Sequence, residues 1–277
     1  MDIVKKLNER MDKANSLLSV GLDPDYEKLP ERFKKMEFPQ FEFNKYIMDA
    51  THEYAAVFKP NNAFYEERGD KGLRELKMTM DYAREKYPDV FLIVDCKRGD
   101  IGNTNKGYLK ATYDWLGADG LTMSPYMGKE SLQCLLDRKD KACIILVRTS
   151  NPGAGEFQDL LVGDPSLTLP LARGGEKPLW QIVAENVVNK WNEHGNCMMV
   201  MGVTWPEEMK KAREIAGDMT FLCPGFGPQG GDLGEWIIAG LSSEKKGLII
   251  NSSRAIIFSD DPKEEARKLR DEINKYR

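Results

Sequence analysis

Short apolar runs recur along the chain, separated by stretches with helical spacing. The runs Leu17–Asp23, Ala55–Asn61, Val90–Lys97, Gly120–Pro125, Ala142–Thr149, Cys197–Val203, Thr220–Gly225 and Gly247–Ser252 are almost continuously apolar until their last residues. Strict alternation would mark strands with one wet face; continuous runs of this length mark strands buried on both faces, as in parallel sheets. Between them, Phe41–Glu53 places Phe43, Ile47 and Ala50 on one face. Pro206–Ala216 opens on a proline suited to a first helical turn, preceded by Thr204 and Trp205. The final helix follows Asp260-Asp261-Pro262 and carries Ala266, Leu269 and Ile273 at spacings of three and four. Eight strands alternating with helices predict an α/β protein of the (β/α)8 TIM-barrel class; an open doubly wound sheet shares the alternation. At 277 residues the chain suits one barrel domain spanning 1–277. The stretch 151–178 breaks the rhythm. Dense in glycine and proline, it is expected to be an elaborated loop after the fifth strand rather than a domain boundary.

Composition narrows the function classes. A net charge of −4 advertises no nucleic-acid partner. The five cysteines, Cys96, Cys134, Cys143, Cys197 and Cys223, form no C-x-x-C pair, which disfavours a zinc site and a disulfide framework. No apolar run approaches the roughly 20 residues needed to span a bilayer, and the first residues lack a signal core. A soluble, cytoplasmic protein with no membrane partner is expected.

The polar residues gather at strand ends. The first strand ends SVGLDPD, the second VFKPNN and the third LIVDCKRGD. Side chains alternate along a strand, so Asp95 shares a face with Lys97, and Lys59 with Asn61, while Asp23 occupies the matching end of the first strand. One strand-end charge alone reads as solvated or as a cap; several on three consecutive strand ends of a barrel converge on one opening and read as a site. Asp100 lies just beyond, where it serves either as a helix cap, in competition with Asn103 and Thr104, or as part of the chemistry. After the seventh strand comes PGFGPQGGD, and after the eighth NSSR, ending in Arg254. Loops seven and eight of such barrels commonly bind phosphate through backbone donors, and an arginine adds a bidentate contact. His52 and His194 fall in helical patterns and read as packing or surface residues. No metal-ligand spacing appears, so the expected chemistry is that of lysines and carboxylates on a phosphorylated small molecule.

These motifs resemble the orotidine 5′-phosphate decarboxylase family over nearly the whole chain. Asp95, Lys97 and Asp100 meet its D-x-K-x-x-D pattern; Lys59 in FKPN meets its strand-two lysine and Asp23 in VGLDPD its strand-one aspartate. Ser150 in RTSNPG matches a base-contacting serine, although the adjacent Thr149 is an alternative; Gln229 matches the closing-loop glutamine and Arg254 the phosphate arginine. FKPN, MSPYMG and TSNPG are similar to the longer-chain branch of that family. The resemblance implies cofactor-free conversion of orotidine 5′-monophosphate to uridine 5′-monophosphate and carbon dioxide. It makes Lys59, Asp95, Lys97 and Asp100 catalytic, and Asp23, Asn61, Thr104, Ser150, Gln229, Gly230, Ser253 and Arg254 substrate-binding. Lys97 is then expected to face the carbanion at C6 and protonate it, with Asp95 and Asp100 keeping the lysines charged. It further implies a homodimer in which Asp100 and Thr104 reach the neighbouring site. Three rivals remain. A magnesium-dependent keto-sugar-phosphate enzyme would want an acid where Lys59 stands. A Schiff-base aldolase would want an unprotonated lysine. A silent nucleotide-binding barrel would not need the charges.

Overall fold

The computed structural model describes residues 2–163, 176–202, 206–225 and 233–277. Val203, Thr204, Trp205, Gln229 and Gly230, and the part of the elaborated loop from 164 to 175, lie outside the described residues.

Eight strands close a barrel: β1 (Leu18–Leu22), β2 (Val57–Pro60), β3 (Phe91–Arg98), β4 (Gly120–Met123), β5 (Ala142–Arg148), β6 (Cys197–Met201), β7 (Phe221–Cys223) and β8 (Leu248–Ser252). Every barrel pairing is parallel, and β1 meets both β2 and β8. All eight apolar runs therefore became strands, and closure rather than an open sheet is the outcome. β1, β2, β4, β6, β7 and β8 are buried at every residue. That is why their sequences show no alternation.

The outer layer is helical. Pro39–Thr51 buries Phe43 and Ile47, Pro206–Ala216 buries Met209 and Ala212, and Pro262–Asn274 buries Ala266 and Ile273. An additional helix, Ile3–Ala14, precedes the barrel. Asp2 caps it by accepting from the Val4 and Lys5 amides, and Ile3, Leu7, Met11 and Ala14 form its buried stripe. Its Arg10 is buried, donates to the carbonyls of Ala55 and His52 and pairs with Asp89 at 2.7 Å, tying the helix to the segments that enter β2 and β3. The stretch read as an elaborated loop contains, in its described parts, a short helix (Gly155–Gln158) and a two-residue antiparallel ladder, Leu161–Val162 with Lys177–Pro178.

Candidate active site

The carboxyl ends of β1, β2 and β3 bring four of the expected side chains together. Asp95 sits between two ammonium groups: Lys59 Nζ donates to Oδ2 at 3.1 Å and Lys97 Nζ to Oδ1 at 2.6 Å. The three differ in exposure. The side chains of Lys59 and Asp95 are 3 % and 8 % exposed, whereas Lys97 is 48 % exposed and stands at the opening. Asn61 bridges to Asp95 along the strands, and its amide N–H donates to Asp23 Oδ1 at 3.1 Å.

The charges determine one another. Burial alone would lower the Lys59 pKa, but the carboxylates of Asp95 and Asp23 and the hydrogen bond to Asp95 outweigh it, leaving the pKa above the ordinary lysine value. Burial would likewise raise Asp95, yet Lys59 and Lys97 hold its carboxyl well below the usual range. Both groups are fixed as ions at neutral pH, and both oxygens of Asp95 are engaged by cations.

Lys97 has a left-handed backbone, φ +47°, uncommon for a residue with a side chain. It lies where the β3–β4 register shifts, between Val94 and Arg98. Thr122 on β4 also reaches this point and donates to Asp95 Oδ1 at 2.9 Å. Strand-end charges had drawn attention to β1, β2 and β3, and Thr122 carried no such signal.

Asp100 stands apart from the lysines. Its Oδ1 accepts from the Ile101 amide at 2.6 Å, and no ion pair joins it to Lys59 or Lys97 within the chain. It is not a helix cap: helix Gly102–Leu109 has Ile101 at its N-cap and no side-chain cap. Asn105, fully buried, holds the loop instead, donating to the carbonyls of Asp100 and Ser131 and accepting from the Asp100 amide. Asn103 and Thr104 fall inside the helix, and Thr104 is exposed.

The other side of the opening is made by β5, β7 and β8. Thr149 Oγ1 is tied to Asn151 and Gln158, whereas Ser150 is exposed and its Oγ lies 3.2 Å from where a Cβ on Gly225 would stand. Gly225 has φ +92°. Ser253 accepts from Asn251 Nδ2 at 3.3 Å. A Cβ on Gly21 would fall 1.8 Å from Ser253 Oγ and 3.1 Å from Asp23 Oδ2, so this glycine of SVGLD makes room for both. Arg254 is exposed beside Ser253.

A sequence model of the "Orotidine 5'-phosphate decarboxylase / HUMPS family" matches residues 16–269. A Cellvibrio japonicus protein named orotidine 5'-phosphate decarboxylase is 40 % identical over 283 residues, covering 99 % of this chain and 98 % of the relative. A Natronomonas pharaonis protein of the same name is 42 % identical over 289 residues, with each chain fully covered. Among solved structures, Leishmania donovani OMP decarboxylase superposes with a TM-score of 0.86 at 36 % identity, covering 100 % of this chain and 99 % of that one.

Proposed function

The chain belongs to the orotidine 5′-phosphate decarboxylase / HUMPS family and decarboxylates orotidine 5′-monophosphate to uridine 5′-monophosphate, and on that premise we propose which of its residues do the chemistry. The observation that carries the reading is Asp95 held between Lys59 and Lys97, with only Lys97 reaching the opening. Loss of carbon dioxide breaks the bond from C6 of the pyrimidine to the carboxylate and leaves the electron pair on C6. A cation placed there stabilises that charge as it develops. Lys97 is this cation and then transfers one ammonium proton to C6; its half-exposed position lets solvent restore the proton. Asp95, an anion across the neutral range, fixes Lys97 in place, and buried Lys59 fixes Asp95 from the other side.

The remaining assignments divide the substrate. Asp23 and Asn61 border the lysine cluster and take the ribose end. Ser150 takes the pyrimidine, a choice supported by the engagement of Thr149 with Asn151 and Gln158. Ser253 and Arg254, with Gln229 and Gly230, take the phosphate. Gripping a group remote from C6 lowers the barrier by closing the site over the reacting carbon.

The protein works as a homodimer in this reading, with Asp100 and Thr104 serving the neighbouring site. Two features support it. Asp100 has no lysine partner among the described residues, and Ile101, Tyr126 and Met127, on the adjoining loops after β3 and β4, are 56 %, 89 % and 46 % exposed. Among the described residues no helix is long and apolar enough to cross a membrane, and the five free cysteines support a cytoplasmic location. Mixing inactive Asp100→Ala and Lys97→Ala proteins under subunit exchange tests the shared site. Each heterodimer then contains one intact site, so roughly a quarter of sites recover on random exchange. A dead mixture, with exchange verified by mass spectrometry, places Asp100 in its own chain's site or outside the chemistry.

A further inference from the structure

Thr122 is a buried β4 residue at a break in the sheet. The ladder runs Ile93 with Gly120 and Val94 with Leu121, then resumes at Arg98 with Met123. Four steps along β3 therefore face two along β4, so β3 bulges over the residues that include Asp95 and Lys97. A bulge of this kind leaves amide groups without ladder partners. Here the Thr122 hydroxyl takes their place: Oγ1 accepts from the Cys96 amide at 3.0 Å and from the Lys97 amide at 2.9 Å. It donates its single proton to Asp95 Oδ1 at 2.9 Å, the oxygen that also receives Lys97 Nζ at 2.6 Å. One donor and two acceptor positions exhaust what a hydroxyl offers.

Lys97 is thus held at both ends. Its backbone, in the left-handed region at φ +47°, is pinned through its N–H, and its side chain turns back to the carboxylate that the same hydroxyl orients. The left-handed conformation costs free energy for a residue with a side chain and persists where surrounding contacts enforce it. No other side chain bonds both the Lys97 amide and Asp95 among the described residues.

We propose that Thr122 is a positioning residue of the decarboxylation: its hydroxyl bridges the β3 bulge and sets the left-handed Lys97 against Asp95, so that the ammonium is delivered to the reacting carbon. The proposal rests on the assignment of Lys97 as the proton donor. Thr122 is buried and its hydroxyl bonds only β3 groups among the described residues, so its effect is expected on turnover and not on affinity.

The test compares Thr122→Val, which keeps the shape without the hydroxyl, with Thr122→Ser, which keeps the hydroxyl, and with Lys97→Ala. Steady-state kinetics on orotidine 5′-monophosphate give kcat and KM, and calorimetry gives the affinity for uridine 5′-monophosphate. Valine is expected to lower kcat about 10- to 100-fold, as misplacement of a reacting group by a fraction of an ångström to 1 Å does, with product affinity near wild type. Serine is expected to restore most of kcat. A valine variant with wild-type kcat, or one only less heat-stable, overturns the proposal, as does a serine variant as slow as valine or a loss of product affinity matching the loss of kcat. Should the valine variant not fold, Thr122→Cys replaces it: the thiol is a weak donor and acceptor, and wild-type kcat in that variant is equally fatal. Lys97→Ala separates the two levels. If it turns over normally, the assignment of Lys97 fails; if it is inactive while Thr122→Val is fully active, only the role of Thr122 fails.

Discussion

Replacing Asp95 by asparagine removes the charge that two lysines share while leaving the volume nearly unchanged. The two halves of the cluster respond unequally. Lys97 is 48 % exposed, and its pairing with Asp95 contributes at most about 1 kcal/mol to stability, as for other wetted pairs. Lys59 is 3 % exposed, and removing the partner of a buried charge costs about 3–5 kcal/mol. The Asp23 carboxylate also acts on Lys59, and the asparagine oxygen still accepts a hydrogen bond, which puts the expected loss near the lower bound, about 3 kcal/mol. For a chain of this size that corresponds to a fall in Tm of roughly 6–12 °C. The pH dependence has a definite sign. In the wild type, Lys59 is raised above its ordinary value of 10.5, so its contribution is complete below that pH and is lost as pH climbs through the folded value. Asp95 is lowered from 3.8, so its contribution is complete above that pH and is lost as pH falls toward the folded value. Both are intact from about pH 5 to 9, roughly one pH unit inside each ordinary value. In Asp95→Asn, burial, already the largest single influence on Lys59, is opposed by Asp23 without Asp95, and the Lys59 pKa is expected to drop below the unfolded value. The variant's deficit then shrinks as pH rises, because the folded protein sheds the proton that burial penalises. Urea denaturation followed by circular dichroism at pH 6 and pH 9 measures both effects. A loss under about 1 kcal/mol at pH 6, or a deficit that grows toward pH 9, refutes the idea that Asp95 neutralises a buried ammonium.

Two further outcomes follow from the same geometry. Arg254→Ala is expected to raise KM for the nucleotide by about 10- to 100-fold, the value of a charge-assisted contact, with little effect on binding of the phosphate-free nucleoside; equal effects on both ligands contradict the phosphate assignment. Exhaustive chelation is expected to leave turnover unchanged, because Lys59 and Lys97 occupy the two oxygens of Asp95 where a cation would otherwise bind; loss of activity restored by magnesium contradicts it.

The barrel was legible because its strands are buried on both faces, so the sequence shows each as a short apolar run ended by polar residues. The convergence of Asp23, Lys59 and Asp95 followed from polar strand ends plus closure, whereas Lys97 meets Asp95 across a bulge that regular alternation does not describe. What the sequence concealed arises from register and local geometry. Thr122 looks like an ordinary strand residue, and only the β3 bulge brings its hydroxyl to Asp95, 27 positions away. Asp100 was read either as a cap or as a catalytic group; the cap is excluded because Asn105, an unremarkable helix residue in sequence, anchors that loop from within the helix. The first helix was hidden by its charge, since only four apolar positions, Ile3, Leu7, Met11 and Ala14, carry its buried face. The partners of Thr149 were hidden for the same reason: Gln158 bonds both its amide and its hydroxyl only once the excursion after β5 is folded.

Whether Lys97 carries the developing charge is tested most directly by Lys97→Ala. Decarboxylation of orotidine 5′-monophosphate, followed by absorbance, should fall by at least about 1,000-fold in kcat, the scale of losing both an electrostatic stabiliser and a general acid. Over the same samples, calorimetric affinity for uridine 5′-monophosphate should remain measurable, since Ser150, Ser253 and Arg254 are untouched. A variant that turns over at a rate near the wild type's while binding product normally would remove Lys97 from the reaction.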